Sequence, residues 1–346
     1  MARANDAPNT IHDVAKLAGV SASSVSRALN GHPNVSARLR QRVEAAVKEL
    51  EYHPNPAAHS LRGGATGLIG FLIDSMVNGP IYASVDQALR TRGYSMLLTN
   101  AENDPTLSGA YVQLMARRRV DGLLIDSGVA ERKQVIDDLI RLQIPAVIFD
   151  HDLPPDAPHL SVVQSDLASG MRAAVAHLVE QGHRRIAMIG GQAWWWPARE
   201  RLRAYLEGLG LADIAPDPAL IRTVAMVAPS IATTAALAYA ETSALLHLPQ
   251  PPTALIVGGN VLLLGALRAL QAQGRAVGRD LALVGADDLD LTQLLSPPIT
   301  VIARDLTLRG EMAVQLLTEA IQEEGGKVIT LPTKLIVRES STLWRR

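Results

Sequence analysis

TIHDVAKLAGVSASSVSRALN, residues Thr10 to Asn30, decides how the chain is read. Thr10 can cap a helix, and Asp13 three residues on completes a capping box. Ile11, Val14, Ala15 and Ala18 fall at i, i+3, i+4 and i+7, a single apolar stripe. Gly19 ends that helix, since glycine enters the left-handed region without steric cost. Ser21 then caps a second helix, Ala22 to Leu29, with Val25, Ala28 and Leu29 turned inward. Two short helices joined by a tight, glycine-containing turn carry the helix-turn-helix signature. In that arrangement the second helix enters the DNA major groove, its N-terminal residues toward the bases. An ordinary helical hairpin is the bland alternative.

Outward from this stretch, residues 1–9 read as a disordered tail. His32-Pro33-Asn34 makes a turn. Ser36 caps a third helix to about Leu50, with Leu39, Val43, Ala46, Val47 and Leu50 on one face. Residues 10–53 thus form a small all-α headpiece. Tyr52–Arg62 follows, with prolines at 54 and 56, and then Gly63-Gly64. Ala57–Arg62 is too short to be a stable helix alone. Residues 54–66 are a linker, or a hinge helix that forms only against a partner.

From Leu68 the pattern changes. Apolar runs at Leu68–Ile73, Ser95–Leu98, Gly122–Ile125, Ala146–Phe149, Ile186–Ile189, Ala254–Val257 and Leu281–Val284 alternate with helix-period segments. The latter include Tyr82–Arg92, Ala110–Arg119, Lys133–Leu142, Ser169–Glu180 and Arg199–Gly208. Such alternation implies parallel strands with right-handed crossovers. Residues 67–346 are too many for one sheet, so two doubly wound α/β lobes are expected. The boundaries read as 67–164 with 296–325 for the N-lobe and 165–293 with 327–342 for the C-lobe. Ligands in such folds sit in a crevice at the carboxyl ends of the strands.

Composition agrees with two kinds of module. The chain has 346 residues, a net charge of −1 and no cysteine, which excludes disulfides, cysteine-ligated zinc and thiol chemistry. Residues 1–62 hold eight Lys/Arg against five Asp/Glu, and residues 63–346 hold 25 against 29, so the head is mildly basic on a slightly acidic body. No run of 18 apolar residues marks a membrane span. MARANDAPNT is no secretion signal, which argues against a periplasmic protein, and with a DNA-reading head a cytoplasmic, nucleoid-associated one is expected.

Along its length the chain resembles the lac-repressor (LacI/GalR-type) family of bacterial transcription factors. The resemblance rests on TIHDVAKLAGVS, SVSRALNG and YHPNPAAHSLR running into TGLIG. In the body it rests on RRRVDGLLID, QGHRRIAMIGG, ARERLRAYLEGL, LVGADD and LPTKLIVRES. It implies a helix-turn-helix headpiece, a hinge helix and a two-lobed, periplasmic-binding-protein-like core. The partners it implies are a pseudo-palindromic operator, a second copy of the chain and a small effector in the cleft, here expected to be a sugar or sugar derivative.

By motif, Ala22, Ser23 and Arg27 fall on the family's base-reading positions. A guanidinium can pair with guanine O6 and N7, and the Ala22 methyl can meet a thymine methyl. Ser21, Ser24, Ser26 and Asn30 suit phosphates, which position without specifying. Leu61 falls where the family has a minor-groove wedge, a residue that kinks the duplex. Arg62 can follow the groove, and His59 replaces a usual basic residue. In the core, Asp126, Asp150, Trp194, Arg201, Asn260 and Asp287 are the candidate effector contacts. Carboxylates accept hydroxyl hydrogens and arginine donates a fork. Gly259-Asn260 departs from the family's Asn-Asp. Trp194-Trp195-Trp196 is either a stacking wall, standing in for an aromatic near Val227, or a surface contact.

No cofactor or metal is implied. The chain lacks G-x-G-x-x-G, G-x-x-x-x-G-K-[ST], G-x-S-x-G and H-E-x-x-H, so an enzyme is not expected. A solute-binding protein would need a signal sequence and no DNA-reading head. A corepressor-dependent repressor, or an activator answering a purine or nucleoside, is the closer alternative. No leucine heptads follow the last strand, so a dimer rather than a tetramer is expected.

Overall fold

The computed structural model describes residues 9–29, 34–52, 65–75, 79–102, 104–225, 230–322 and 325–342. Asn30, His59, Leu61, Arg62, the hinge segment and Val227 lie outside them. The chain divides into two units, residues 1–66 and 67–346.

In the first unit, α1 spans Ile11–Ala18, α2 Ala22–Leu29 and α3 Ala37–Glu49. Asp13 accepts from the Thr10 N–H at 2.8 Å and from its hydroxyl at 2.7 Å, fixing the first turn of α1. Gly19 takes φ +63° and ends that helix, so the chain can turn at once into α2. Ser36 Oγ accepts from the Leu39 N–H at 3.3 Å and caps α3. Val14, Ala15, Ala18, Val25, Ala28, Val43 and Ala46 form the buried core, with Ile11, Leu39, Val47 and Tyr52 packed around it. So small a core fixes the angle between α1 and α2 with little redundancy.

The second unit holds, among the described residues, two six-stranded sheets. The N-lobe starts with β1 Leu68–Ile73, α4 Gly79–Thr91, β2 Ser95–Asn100, α5 Pro105–Arg117, β3 Gly122–Ile125, α6 Ser127–Ala130, α7 Lys133–Leu142, β4 Ala146–Phe149 and β5 Leu160–Ser165. The C-lobe takes α8 Leu167–Glu180, β6 Ile186–Gly191, α9 Trp196–Leu211, β7 Ile221–Val224, α10 Ile231–Leu246, β8 Ala254–Val257, α11 Asn260–Ala272, β9 Ala282–Ala286, α12 Asp290–Leu294 and β10 Thr300–Arg304. The chain then returns to the N-lobe for α13 Leu306–Ile321 and β11 Val328–Leu331, and ends in the C-lobe with β12 Thr333–Ile336.

The N-lobe sheet runs β11-β5-β4-β3-β1-β2 and the C-lobe sheet β12-β10-β9-β8-β6-β7. The central strands of both sheets are apolar on both faces because helices cover both, which is why they read as continuous runs. Every pairing is parallel except β10 with β12.

Two lobe boundaries read from sequence need correction. Residues 296–325 were expected in the N-lobe, yet Thr300–Arg304 pairs with β9 and β12 in the C-lobe sheet. Residues 327–342 were expected in the C-lobe, yet Val328–Leu331 pairs with β5 in the N-lobe sheet. The ladder hydrogen bonds, which must be satisfied in a buried sheet, set these allegiances. Among the described residues the backbone therefore crosses between lobes three times, at 165–167, 304–306 and 331–333. Asp166 and Asp305 cap the helices that follow the first two crossings. Among the described residues no helix is long and apolar enough to cross a membrane.

Candidate functional site

The DNA-facing candidates lie on α2. Val25 and Ala28 hold its inner face in the headpiece core, which leaves Ser21, Ser23 and Arg27 exposed on the outer one. Ser21 Oγ is shared between the Ser24 N–H at 3.2 Å and the hydroxyls of Ser23 and Ser24 at 2.8 and 2.9 Å. That cap fixes the first turn of α2, the part that reaches base edges in a helix-turn-helix. Arg27 is held only loosely: its Nε donates to the Ser23 carbonyl at 3.4 Å, so the guanidinium is free to pair elsewhere. Ala22 and Ser26 are half-buried, and Ala22 borders the core.

The core unit contains a cleft of about 560 Å³ between its lobes. Asp126, Asp150, Trp194, Arg201, Asn260 and Asp287 all line it. Asp150 follows β4 and Asp287 follows β9, each at positive φ, +45° and +64°. This conformation is one that aspartate tolerates better than most residues, and it sits where the strand ends meet the crevice.

The two carboxylates do not stand open as the sequence suggested. Asp150 Oδ1 accepts from the Ser165 N–H at 2.7 Å, and its Oδ2 accepts from Arg309 at 2.6 Å and Arg304 at 3.1 Å. Arg304 Nε and Nη2 donate to the two oxygens of Asp287 at 2.5 and 2.6 Å. Arg304 is thus a fork in the C-lobe that reaches one carboxylate in each lobe. Burial works against its charge, but Asp287 and then Asp150 outweigh that and raise its pKa. Burial likewise raises Asp287, and Arg304 more than reverses it, holding the carboxyl below its usual range.

Arg201 has the opposite situation. It is 5% exposed and lines the cleft, and its guanidinium has no hydrogen bond to a described residue. Burial, followed by the nearby Arg304, pulls its pKa down to about 10, so it keeps its charge at neutral pH. A buried guanidinium without a partner is costly unless something donates acceptors to it.

Sequence reading missed Asp74. It lies just past β1, 8% exposed, with its Oδ1 unpartnered among the described residues. Burial, and then the neighbouring Asp126, push its pKa up to about 7. Asp126 itself caps α6 through the Ser127 N–H at 2.9 Å, and burial raises its pKa too. Gly128 makes room here: a Cβ on it would stand 1.6 Å from Asp74 Oδ2. The rule that found Asp150 and Asp287, a carboxylate at the end of a strand, would have found Asp74 as well. Arg304 and Arg309 escaped because β10 and the crossing after it were not read. Asn260 opens α11 with its Oδ1 buried and unpartnered among the described residues. Asp288 turns away to a bidentate pair with Arg338, both bonds 2.8 Å.

The Trp run divides. Trp194 and Trp195 are half-buried cleft residues, while Trp196 is buried and starts α9. The Arg132 guanidinium stands 5.4 Å from the centre of the Trp194 ring. Among the described residues no cluster of three or more His, Asp or Glu could hold a metal ion.

The chain was compared with known proteins. The model for bacterial regulatory proteins of the lacI family matches residues 10–55. The model for a periplasmic binding protein-like domain matches residues 175–341. The HTH-type transcriptional repressor PurR of Haemophilus influenzae is 32% identical over 342 residues, covering 96% of this chain and 98% of the relative. PurR of Aliivibrio salmonicida is 29% identical, with the same coverage of 96% and 98%. Among solved structures, the lac repressor dimer bound to operator and the anti-inducer ONPF has a TM-score of 0.82 at 30% identity, covering 97% of this chain and 99% of that one. A complex of the transcriptional regulator CelR with cellobiose has a TM-score of 0.69 at 30% identity, covering 96% and 99%.

Proposed function

We propose, from the premise that this chain belongs to the lacI family of bacterial regulatory proteins, that it represses a catabolic operon as a homodimer and is released by a sugar or sugar derivative bound in the cleft. It is a DNA-binding transcriptional repressor with an effector-binding core, not an enzyme. A protein that reads operator DNA works in the cytoplasm, beside the chromosome.

On DNA, two copies of α2 would read the half-sites of a pseudo-palindrome. Ser23 and Arg27 would meet base edges, with the Ala22 methyl beside them, and Ser21, Ser26 and Asn30 would take phosphates. Leu61 would enter the minor groove between the half-sites, flanked by Arg62 and His59. Arg27→Ala is expected to weaken operator binding about 5- to 150-fold, the ~1–3 kcal/mol of one bidentate base contact, and to relax the preference at one base position. Titration against a duplex selected by the wild-type chain, and against its single-base variants, checks both. Uniform weakening on every sequence would make Arg27 a phosphate contact instead.

One observation carries the effector reading: the Arg201 guanidinium, buried in the cleft without a hydrogen-bond partner among the described residues. A polyhydroxylated ring meets that cation with its oxygens. It can give hydroxyl hydrogens to Asp74 and Asp126 and lay a face on Trp194. The cellobiose complex of the CelR relative supports a sugar here. A thermal-shift screen of sugars, sugar phosphates, nucleosides and purines tests the class, since a ligand at 100 times its Kd adds about 2.7 kcal/mol. In the same screen Trp194→Ala is expected to cut the shift by the hit ligand by about a third, losing one stacking contact of ~1 kcal/mol. An unchanged shift would remove Trp194 from the site.

A further inference from the structure

The loop Gln192–Trp196 leaves the C-lobe after β6 and spends its polar groups on the other lobe. Trp195 Nε1 donates to Ser127 Oγ at 2.9 Å, on α6. The Trp196 N–H donates to Glu131 Oε1 at 2.5 Å, and Trp196 Nε1 to Asp152 Oδ1 at 3.0 Å. Arg199, one turn into α9, reaches the other oxygen of Asp152 at 3.4 Å. Arg132 of the N-lobe covers the Trp194 ring. Within the loop, Trp194 Nε1 donates to Gln192 Oε1 at 3.1 Å and the Trp195 N–H to the Gln192 carbonyl at 3.1 Å, so the segment is preformed. Pro197, directly after, fixes the start of α9 behind it.

An indole is a poor hydrogen-bond donor to waste. It has one N–H, and one that is buried or half-buried needs an acceptor. Both Trp195 and Trp196 find theirs across the cleft, where the acceptor is lost if the lobes part. Each ring is rigid and has only two side-chain torsions, so the bond can follow little of a lobe movement by side-chain adjustment. The same loop presents Trp194 and Trp195 to the cavity. Ligand contact and lobe contact therefore fall on adjacent residues of one short segment.

We propose that Gln192–Trp196 is a clasp through which the C-lobe holds the N-lobe closed, with Trp195, Trp196 and Arg199 as positioning residues that link the cleft's occupancy to operator affinity. A ligand against Trp194 and Trp195 acts on the same loop that sets the lobe angle. The closed arrangement is then favoured or released according to whether the ligand keeps the indole bonds in place. This rests on the reading of the cleft as the effector site. It goes beyond it by assigning the coupling to particular side chains. Ligands alter such an equilibrium only through their differential affinity for the two arrangements.

The test uses the full chain carrying Trp344→Phe, so that the run supplies all the tryptophan fluorescence. In that background Ser127→Ala with Asp152→Ala removes both indole acceptors from the N-lobe and leaves the three reporters intact. The expected result is a red-shifted emission and about twofold stronger acrylamide quenching. Affinity for a duplex selected by the wild-type chain should change by at least about fivefold, the low end of usual coupling. Asp152→Asn alone keeps an acceptor for Trp196 and should restore most of both signals. Unchanged quenching overturns the clasp. Stronger quenching with unchanged DNA affinity, or with a lowered melting temperature as the sole further effect, overturns the coupling. If the parent chain selects no duplex at all, the repressor reading fails, while the quenching arm still decides whether the clasp exists.

Discussion

Arg304→Met is expected to destabilise the core by about 3–5 kcal/mol, the usual cost of removing one partner from a buried ion pair. Asp287 would lose both of its strong donors, and Asp150 would lose one of three. Arg201 is close enough to attract Asp287 but makes no hydrogen bond to it. The second variant makes the cause visible. Arg304→Met with Asp287→Asn removes the charge left behind, and asparagine tolerates the positive φ that Asp287 adopts. Most of the lost stability should return. Denaturant midpoints at constant slope measure both steps. A single variant as stable as wild type would show that the fork is not worth its desolvation. A double variant no better than the single would show that packing, not charge, is at stake. Effector response should fail in both, because Arg304 is also cleft lining.

Asp74 gives the second large effect, with a sign opposite to that of a salt-bridged carboxylate. Its pKa is raised from 3.8 to about 7 by burial and by Asp126. The folded chain therefore binds this proton more tightly than the unfolded one. That contribution is whole at pH below the unfolded value and is lost as pH rises through the folded one. Between pH 5 and pH 8 the wild type should lose about 3 kcal/mol on account of this residue, and Asp74→Asn should not. Chemical denaturation at both pH values measures the difference. Parallel curves for the two proteins would place the proton elsewhere. A ligand hydroxyl donated to Asp74 would favour the ionised form, so effector affinity should rise over the same range.

Much of this was legible because burial writes itself into sequence. β1, β3, β4 and β8 lie between helix layers, so their apolar runs announced them. Gly19 and the Thr10–Asp13 pair fixed the ends of α1 by local chemistry alone. What stayed hidden was long-range. Arg304 and Asp150 are separated by 154 residues, and nothing local marks them as partners. The edge strands β11 and β12 are half-exposed and a single residue apart, so no pattern told that they enter different sheets. The orphaned Oδ1 of Asp74 was invisible for a related reason: a missing partner is a property of the fold, not of any stretch of chain.

The three crossings between lobes have a mechanical consequence. Two of them are tied to each other: the Asp166 N–H donates to the Leu331 carbonyl at 2.8 Å, and Thr333 Oγ1 donates to the Asp166 carbonyl at 2.7 Å. The third runs straight from the end of β10 into the capped start of α13. Three side-by-side backbone segments, each stiffened within a residue or two, behave like the barrel of a door hinge. Such an arrangement opposes sliding of one lobe past the other and favours rotation about the line the segments share. A restraint across the cleft, away from that line, therefore acts on the angle between the lobes with leverage.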